Sequence, residues 1–356
     1  MTFRVLHTSD WHLGQNFYGK SRAQEHREFF SWLLTQVSEH QIDAVIVAGD
    51  VFDTGTPPSY ARELYFDFIV QLQAFACKLV VVAGNHDSVA MLGESRSVLE
   101  KLGCYVITQA LPDELEQQLV PLTNAQGEQV VVCAMPFIRP RDVLISVGGQ
   151  AAQQKQQQLQ HAIAEQYQAL HQLARKNYPN ECAVIATGHL TTVGASCSES
   201  VRDIYIGTLE AFPAKLFPDF DYIALGHIHQ AQQVAKSDHI CYCGSPLPLS
   251  FDEGRQQKVV NIAEFSQGQL AKVWQLNIPV FQPLAMVKSD FTDLKQDIET
   301  AITPYAEQLT KQQTIWLDIE LSSNDYLADI SQRVDDIAKE FPVEVLLIRK
   351  AKQLRQ

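Results

Sequence analysis

The sequence predicts an α/β protein, a parallel-rich sheet with helices on both faces, followed by a smaller α+β unit. Short continuous apolar runs, as at 43–48 and 78–83, read as strands covered on both faces. Segments with apolar residues at helical spacing lie between them, so strand and helix alternate over about the first 110 residues. After Gly244-Ser245-Pro246 the character changes, first to a hairpin-like pattern and then to a second strand–helix alternation. A chain of 356 residues is long enough for two such units.

In order, residues 4–8 form a β-rich run, and 22–40 carry Phe29, Phe30, Leu33, Leu34 and Val37 on one helical stripe. The strand at 43–48 follows. Pro57-Pro58 then breaks the chain, and Ser59 is placed to cap a helix bearing Leu64, Phe68, Leu72 and Phe75. Residues 78–83, 130–134, 183–186 and 222–225 read as further strands. The glutamine-rich stretch 150–174 repeats Leu159, Ile163, Tyr167, Leu170 and Ala174 at helical spacing, which predicts an amphipathic helix rather than a low-complexity tract. Residues 258–265 and 270–278 form a hairpin around Ser266-Gln267-Gly268. Asn277-Ile278-Pro279 marks a boundary, dividing the chain into domains 1–279 and 280–356. The second reads strand (283–288), helix (291–309), strand (314–321), helix (325–340), strand (343–349).

Composition narrows the function. With 46% hydrophobic and 19% charged residues the chain is not disordered. It has no run of about 18 apolar residues, so no membrane span is expected. The N-terminus enters a strand directly, without a signal-peptide layout. Seven scattered cysteines suit reduced, buried thiols in a cytoplasmic protein. In Cys241-Tyr242-Cys243 the two thiols would face opposite sides of a strand, which argues against a metal pair. The 28 basic and 41 acidic residues give a net charge of −13, which argues against a protein that coats nucleic acid or anionic lipid.

Chemistry concentrates at five strand ends. They read Asp10-Trp11-His12, Gly49-Asp50-Val51-Phe52-Asp53, Gly84-Asn85-His86-Asp87, Gly188-His189 and Gly226-His227-Ile228-His229. Four of them place a glycine before the first polar residue, where it lets the chain turn sharply off the strand. In an open α/β sheet the carboxyl ends of strands line the ligand crevice, so these residues should converge. Each pair alone is commonplace, but the ordered set of five, each after an apolar run, is not. Carboxylates, an amide and imidazoles without thiolate suit Mn, Fe or Zn at two adjacent sites, not a structural zinc. His7 reads as a packed residue, and His26, His40, His161, His171 and His239 as ordinary surface histidines.

The ordered set resembles the calcineurin-like metallophosphoesterase superfamily, whose fold is a four-layer α/β sandwich. The runs 7–14, 48–53, 188–194, 224–229 and 244–246 are similar to the bacterial SbcD family of nuclease subunits, relatives of the Mre nucleases, over nearly the whole chain. The resemblance implies two metal ions bridged by Asp50. The first would be held by Asp10, His12, Asp50 and His229, the second by Asp50, Asn85, His189 and His227. The family metal is manganese, with Mg, Fe or Zn possible at the same sites. His86 matches the family's catalytic histidine, with Asp87 beside it. The chemistry is consistent: two divalent ions neutralise phosphodiester oxygens and acidify a water, and a histidine outside the cluster protonates the leaving oxygen. Asp87 is placed to hold the His86 tautomer. His86 could instead be a third ligand or make a structural hydrogen bond, and Asp53 could support a ligand or cap a turn.

The resemblance also implies a substrate and partners: DNA, cut as a double-strand 3′→5′ exonuclease and single-strand or hairpin endonuclease in repair, recombination and replication. It implies ATP regulation through the coiled-coil ATPase SbcC, a homodimer formed through helices of the 59–100 region, a nucleoid-associated location, and a capping role in DNA recognition for 280–356. Family members carry a further C-terminal stretch that docks on the ATPase, and here the sequence ends at Gln356. The basic end Arg349 to Arg355 could touch phosphate or be a solvated tail. The competing readings are a cyclic-nucleotide phosphodiesterase or nucleotidase on the same scaffold, and a scaffold that binds partners without metals. The net charge divides into −9 for 1–279 and −4 for 280–356, so neither part is a basic module. Two divalent ions beside Asp10 and Asp50 would make the site locally positive, which reconciles an acidic chain with DNA.

Overall fold

The computed structural model describes residues 2–143, 151–178, 181–201, 211–306, 313–322 and 327–351. The chain forms two compact units. The larger comprises the residues up to Gln15 together with Ser21–Leu247 and Gln257–Ile278. The smaller comprises Asn16–Lys20, Pro248–Gln256 and the chain from Pro279 onward.

The larger unit contains two six-stranded sheets. The first runs Gln269–Asn277, Val259–Ser266, Phe3–Thr8, Ala44–Ala48, Lys78–Val82, Cys104–Ile107. Its last four strands are parallel, and the hairpin adds to Phe3–Thr8 antiparallel. The hairpin turns through Gln267 (φ 54°) and Gly268 (φ 76°), the left-handed pair that a two-residue turn requires. The second sheet runs Gln232–Gln233, Ile240–Tyr242, Tyr222–Gly226, Ala183–His189, Gln129–Cys133, Leu119–Thr123. Its four central strands are parallel and its two edges antiparallel.

The sheets pack face to face. Val5, Ile46 and Val82 of the first share one buried cluster with Val132, Ile185 and Ala224 of the second. The alternate residues Leu6, Val45, Val47 and Val81 are equally buried on the opposite face of the first sheet. Helices Ala23–Glu39 and Ser59–Leu72 bury apolar stripes, and Phe30 and Phe68 meet the Trp11 indole edge-on. On the outer face of the second sheet the glutamine-rich segment forms the helix Ala152–Asn177, with Leu159, Ile163, Tyr167, Leu170 and Ala174 in the core as its spacing predicts. The result is the four-layer α/β sandwich that the resemblance implies. It corrects the simpler expectation of one sheet with helices on both faces. A strand buried on both faces reads the same whether a helix or a second sheet covers it, so periodicity could not separate the two arrangements.

Smaller expectations also change. Ser59 is the first helical residue rather than a side-chain cap, and Pro58 stands at the cap position. Tyr65 and Ile69 join Phe68 and Leu72 on the buried stripe, while Phe75 lies beyond the helix and is exposed. His26 is not a surface residue: it is fully buried, and its Nε2 donates to the Trp11 carbonyl at 2.8 Å. Burial and the nearby Arg22 charge pull its pKa down to about 3. His7 packs as expected, between the Tyr222 hydroxyl and the Leu225 carbonyl.

In the smaller unit Leu284–Ser289, Ile315–Leu321 and Val343–Lys350 form a parallel sheet in sequence order, with helices Leu294–Ile302 and Leu327–Ala338 in the connections. Leu294, Ile298, Leu317, Ile319 and Val334 form its main core. A second cluster joins Leu284 and Trp316 to Phe17 and Phe251, with the Phe17 and Trp316 rings stacked 5.7 Å apart. This is why two short segments from earlier in the chain belong to it. Of the basic end, Arg349 makes two hydrogen bonds to the buried Asp318 carboxylate. Lys352 and Arg355 lie outside the described residues. No helix among the described residues is long and apolar enough to cross a membrane.

Leu170→Ala, which opens a cavity under the glutamine-rich helix, should cost about 2–5 kcal/mol in urea unfolding. Gln158→Ala, on the exposed face of that helix, should stay within about 0.5 kcal/mol. Equal effects would contradict the assigned stripe.

Candidate dimetal centre

The five strand ends converge within the larger unit. The Asp10 N–H donates to the Gly49 carbonyl at 3.0 Å, and the His12 N–H to the Asp50 carbonyl at 3.1 Å. This stitching holds Asp10 (φ 53°), His12 (φ 46°) and Asp50 (φ 49°) in left-handed backbone, and His227 (φ 91°) joins them. Such conformations cost roughly 1–3 kcal/mol each for residues other than glycine and persist where surrounding structure overdetermines them. The glycines do something different from what the sequence suggests. Only Gly49 (φ 94°) uses left-handed freedom. At Gly84 and Gly226 the requirement is space: a Cβ there would lie 2.1 Å from Asp50 Oδ1 and 1.9 Å from the Ala48 carbonyl oxygen.

Asp10 and Asp50 stand at the centre, both buried. The Asp10 carboxylate accepts the His227 N–H at 3.0 Å and the Ser9 hydroxyl at 2.5 Å. Asp50 Oδ1 accepts the His86 N–H at 2.8 Å, which leaves Oδ2 3.2 Å from His189 Nε2 and 3.7 Å from His12 Nε2. Asn85 Oδ1 lies 2.9 Å from His189 Nε2. Among the described residues, three groups have ligand atoms within 4.8 Å of one another: Asp10–His12–His229, His12–Asp50–His86 and Asp10–Asp50–His189. They share Asp10, His12 and Asp50, so they describe two adjoining sites. The His227 ring lies 5.3 Å from the His189 ring. All seven residues expected to hold metal are therefore brought together, and His86 is close enough that the third-ligand alternative also stands.

The imidazoles are oriented for coordination. His12 Nδ1 is 3.1 Å from Asp53 Oδ1, His189 Nδ1 donates to the Ala48 carbonyl at 2.9 Å, and His229 Nδ1 is 2.5 Å from Ser200 Oγ. A proton held at Nδ1 leaves Nε2 with a lone pair for a metal. His12 Nε2 is buried and has no hydrogen-bond partner. That orphaned nitrogen and the mixed O/N donor set fit two hard-to-borderline divalent ions.

Charge follows the same geometry. Burial opposes ionisation of Asp50, but the imidazoles of His189, His12 and His86 outweigh it and hold the carboxyl well below the usual range. Burial likewise opposes the His189 cation, yet the Asp50 charge and hydrogen bond, with Asp10 behind them, push it up to about 9. Burial, reinforced by the neighbouring His189, pulls His227 well down. The protein alone thus fills the centre with a proton on His189, where a metal would otherwise sit.

Asp87 does not hold the His86 ring. Its carboxylate accepts the N–H groups of Gly84 (2.8 Å), Phe52 (3.0 Å) and Val51 (3.2 Å), pinning the 84–87 turn to the 50–53 turn. Burial and the Asp50 charge push its pKa up to about 6 despite those donors. The His86 tautomer is held instead by the Asp53 carbonyl, 2.7 Å from Nδ1. Asp53 therefore supports both His12 and His86, which settles its open reading. Sequence reasoning passed over Ser9, Ser200 and the buried Lys258, whose Nζ donates to the His229 carbonyl at 3.0 Å. None belongs to a ligand motif. A lone lysine opening an apolar run at 258 was the one available signal.

Comparison with known proteins decides the family. Residues 3–231 match the calcineurin-like phosphoesterase profile, and residues 280–356 match the type 5 capsule protein repressor C-terminal domain. The chain is 49% identical to SbcD of the Escherichia coli K12 nuclease SbcCD, over 99% of this chain and 86% of that protein. The chain belongs to the SbcD family. It is a hydrolase of the metallophosphoesterase type. The SbcD protein of Bacillus subtilis 168 is 28% identical over 91% of this chain and 80% of its own length. That of Rhodobacter capsulatus is 31% identical over 80% and 71%.

With its pKa raised from 6.5 to about 9, His189 adds stability that is complete below pH 6.5 and lost as pH rises towards 9. In chelator, the melting temperature should fall across that window. Added manganese should reverse the trend, because the metal competes with the proton and binds better as pH rises. A chelated protein whose stability rises from pH 6.5 to 9 would contradict the His189–Asp50 pairing.

Proposed function

We propose that this chain is the nuclease subunit of an SbcCD-type complex, cleaving DNA phosphodiesters with two manganese ions. The observation that carries the reading is the convergence of Asp10, His12, Asp50, Asn85, His189, His227 and His229 around an orphaned, buried His12 Nε2. Asp10, His12, Asp50 and His229 would hold one ion, and Asp50, Asn85, His189 and His227 the other. When bound, the pair neutralises phosphate oxygens and acidifies the attacking water.

The remaining work falls to the chain. Asp50 is aimed by the His86 N–H, so that one oxygen is occupied and the other faces the ligands. The His86 Nδ1 proton rests on the Asp53 carbonyl, which can only accept, so Nε2 is the nitrogen that exchanges a proton. We assign it to protonate the leaving sugar oxygen. Asp87 acts by fixing the turn that carries Asn85 and His86. The relatives' name, as members of the nuclease SbcCD, supports DNA as substrate and an SbcC-type ATPase as partner. The activity set is then ATP-regulated 3′→5′ exonuclease on duplex ends and endonuclease on single strands and hairpins, exercised by a homodimer at the nucleoid. The 280–356 domain would cap the site.

Offered hairpin DNA, linear duplex and bis-p-nitrophenyl phosphate with manganese, the protein should cleave all three. Turnover of the small ester or of cyclic nucleotides, with DNA untouched at every concentration, would replace the nuclease reading by a cyclic-nucleotide phosphodiesterase or nucleotidase. Asp50→Ala should lose both anomalous manganese peaks and all activity. His86→Ala should keep both peaks yet lose about 10²–10⁴-fold in kcat, the usual worth of a general acid. A missing peak in His86→Ala would make His86 a ligand.

A further inference from the structure

Beside the centre stands an arginine that none of these roles uses. Arg139 follows the strand Gln129–Cys133, on a loop tied down by the Phe137 N–H, which donates to the Ala83 carbonyl at 2.8 Å, just ahead of the 84–87 turn. Its Nη2 donates to the Asp87 carbonyl at 3.2 Å. Its guanidinium carbon lies 5.5 Å from the centre of the Phe137 ring, and that ring meets the His189 ring edge-on at 6.4 Å. The guanidinium is thus set against both the His86–Asp87 turn and the His189 side of the centre. Nη1 is buried and has no hydrogen-bond partner, and among the described residues no carboxylate pairs with the cation. The nearby acids are otherwise engaged: Asp142 accepts the Arg139 backbone N–H at 3.1 Å and faces Arg141, and Asp87 is taken by three backbone N–H groups. A charged donor left unmatched costs more than a matched one contributes, so its persistence beside an anion-binding centre requires an account.

We infer that Arg139 is a phosphate-binding residue that takes the nucleotide phosphate adjoining the scissile one. The inference rests on the nuclease reading and deepens it. The metals' ligands claim the scissile phosphate, and a guanidinium one turn away offers N–H groups to a second phosphate oxygen. Arg139 is half-open to solvent as a residue, so a rotation of its side chain brings Nη1 out to that oxygen while the backbone stays fixed. A substrate with a single phosphate has nothing to place there. The residue would therefore favour polynucleotides over small diesters, and so bears on substrate specificity.

The test compares wild type, Arg139→Gln and Arg139→Lys. A phosphorothioate-blocked duplex, resistant to hydrolysis, is bound in manganese at several salt concentrations, and kcat and KM are measured for duplex DNA and for bis-p-nitrophenyl phosphate. Arg139→Gln should weaken duplex binding about tenfold. It should also lower the slope of log affinity against log salt by about 0.9, the loss of one phosphate contact. Its loss in kcat/KM on DNA should sit mainly in KM and exceed the loss on the small diester. Arg139→Lys should restore the salt slope, because it keeps the charge. An unchanged slope in Arg139→Gln, or equal losses on both substrates with a lowered melting temperature, would make Arg139 a brace for the 84–87 turn and overturn the assignment. Failure of wild type to cleave DNA at all would instead overturn the nuclease reading.

Discussion

Two carboxylates buried without a protein cation to match them are the constraint on which the structure depends. Asp10 and Asp50 sit at the ends of neighbouring parallel strands, fully desolvated, and their stabilising groups are backbone N–H donors and imidazoles. An isolated buried carboxylate is costly enough that it neutralises or finds a counter-charge. Here the counter-charge is a proton shared into the His189 side of the cluster, a placeholder that a divalent ion displaces. Much of the surrounding architecture serves to keep these two groups close together and dry.

That service is visible in the backbone. Consecutive turns are hydrogen-bonded to one another across the strand ends, and four site residues other than glycine are held left-handed. Asp87 closes the same lattice from the third turn. Relaxing any one turn would let its carboxylate or imidazole swing by ångströms. The strained conformations are therefore part of how ligand distances are set.

Much of this was readable in the sequence, for identifiable reasons. Apolar runs ending in glycine and a polar pair marked all five turns, because the transition from strand to ligand is local in the chain. The stripe on the helix Ala152–Asn177 was equally local. What escaped was non-local. Nothing near Asp53 signals that its carbonyl and its carboxylate serve two different histidines. Nothing near His26 signals that its nitrogen meets a carbonyl 15 positions earlier. Asp87 was misread because adjacency to His86 suggested contact, whereas neighbouring residues in a tight turn point apart. The second sheet was missed by pattern alone because burial on both faces has one signature and two causes.

The make-up of the smaller unit has a consequence for dissecting the protein. Its second cluster joins Phe17 and Phe251, from two excursions of the chain, to Leu284 and Trp316. The chain passes between the units at five points rather than one. No single cut releases an intact module: a fragment starting at Pro279 would lack two aromatic rings of its core, and the remainder would carry those rings with nothing to cover them. The two units are interlaced in sequence, so they are best treated as one inheritable piece, in which recombination or truncation at the apparent linker damages both halves.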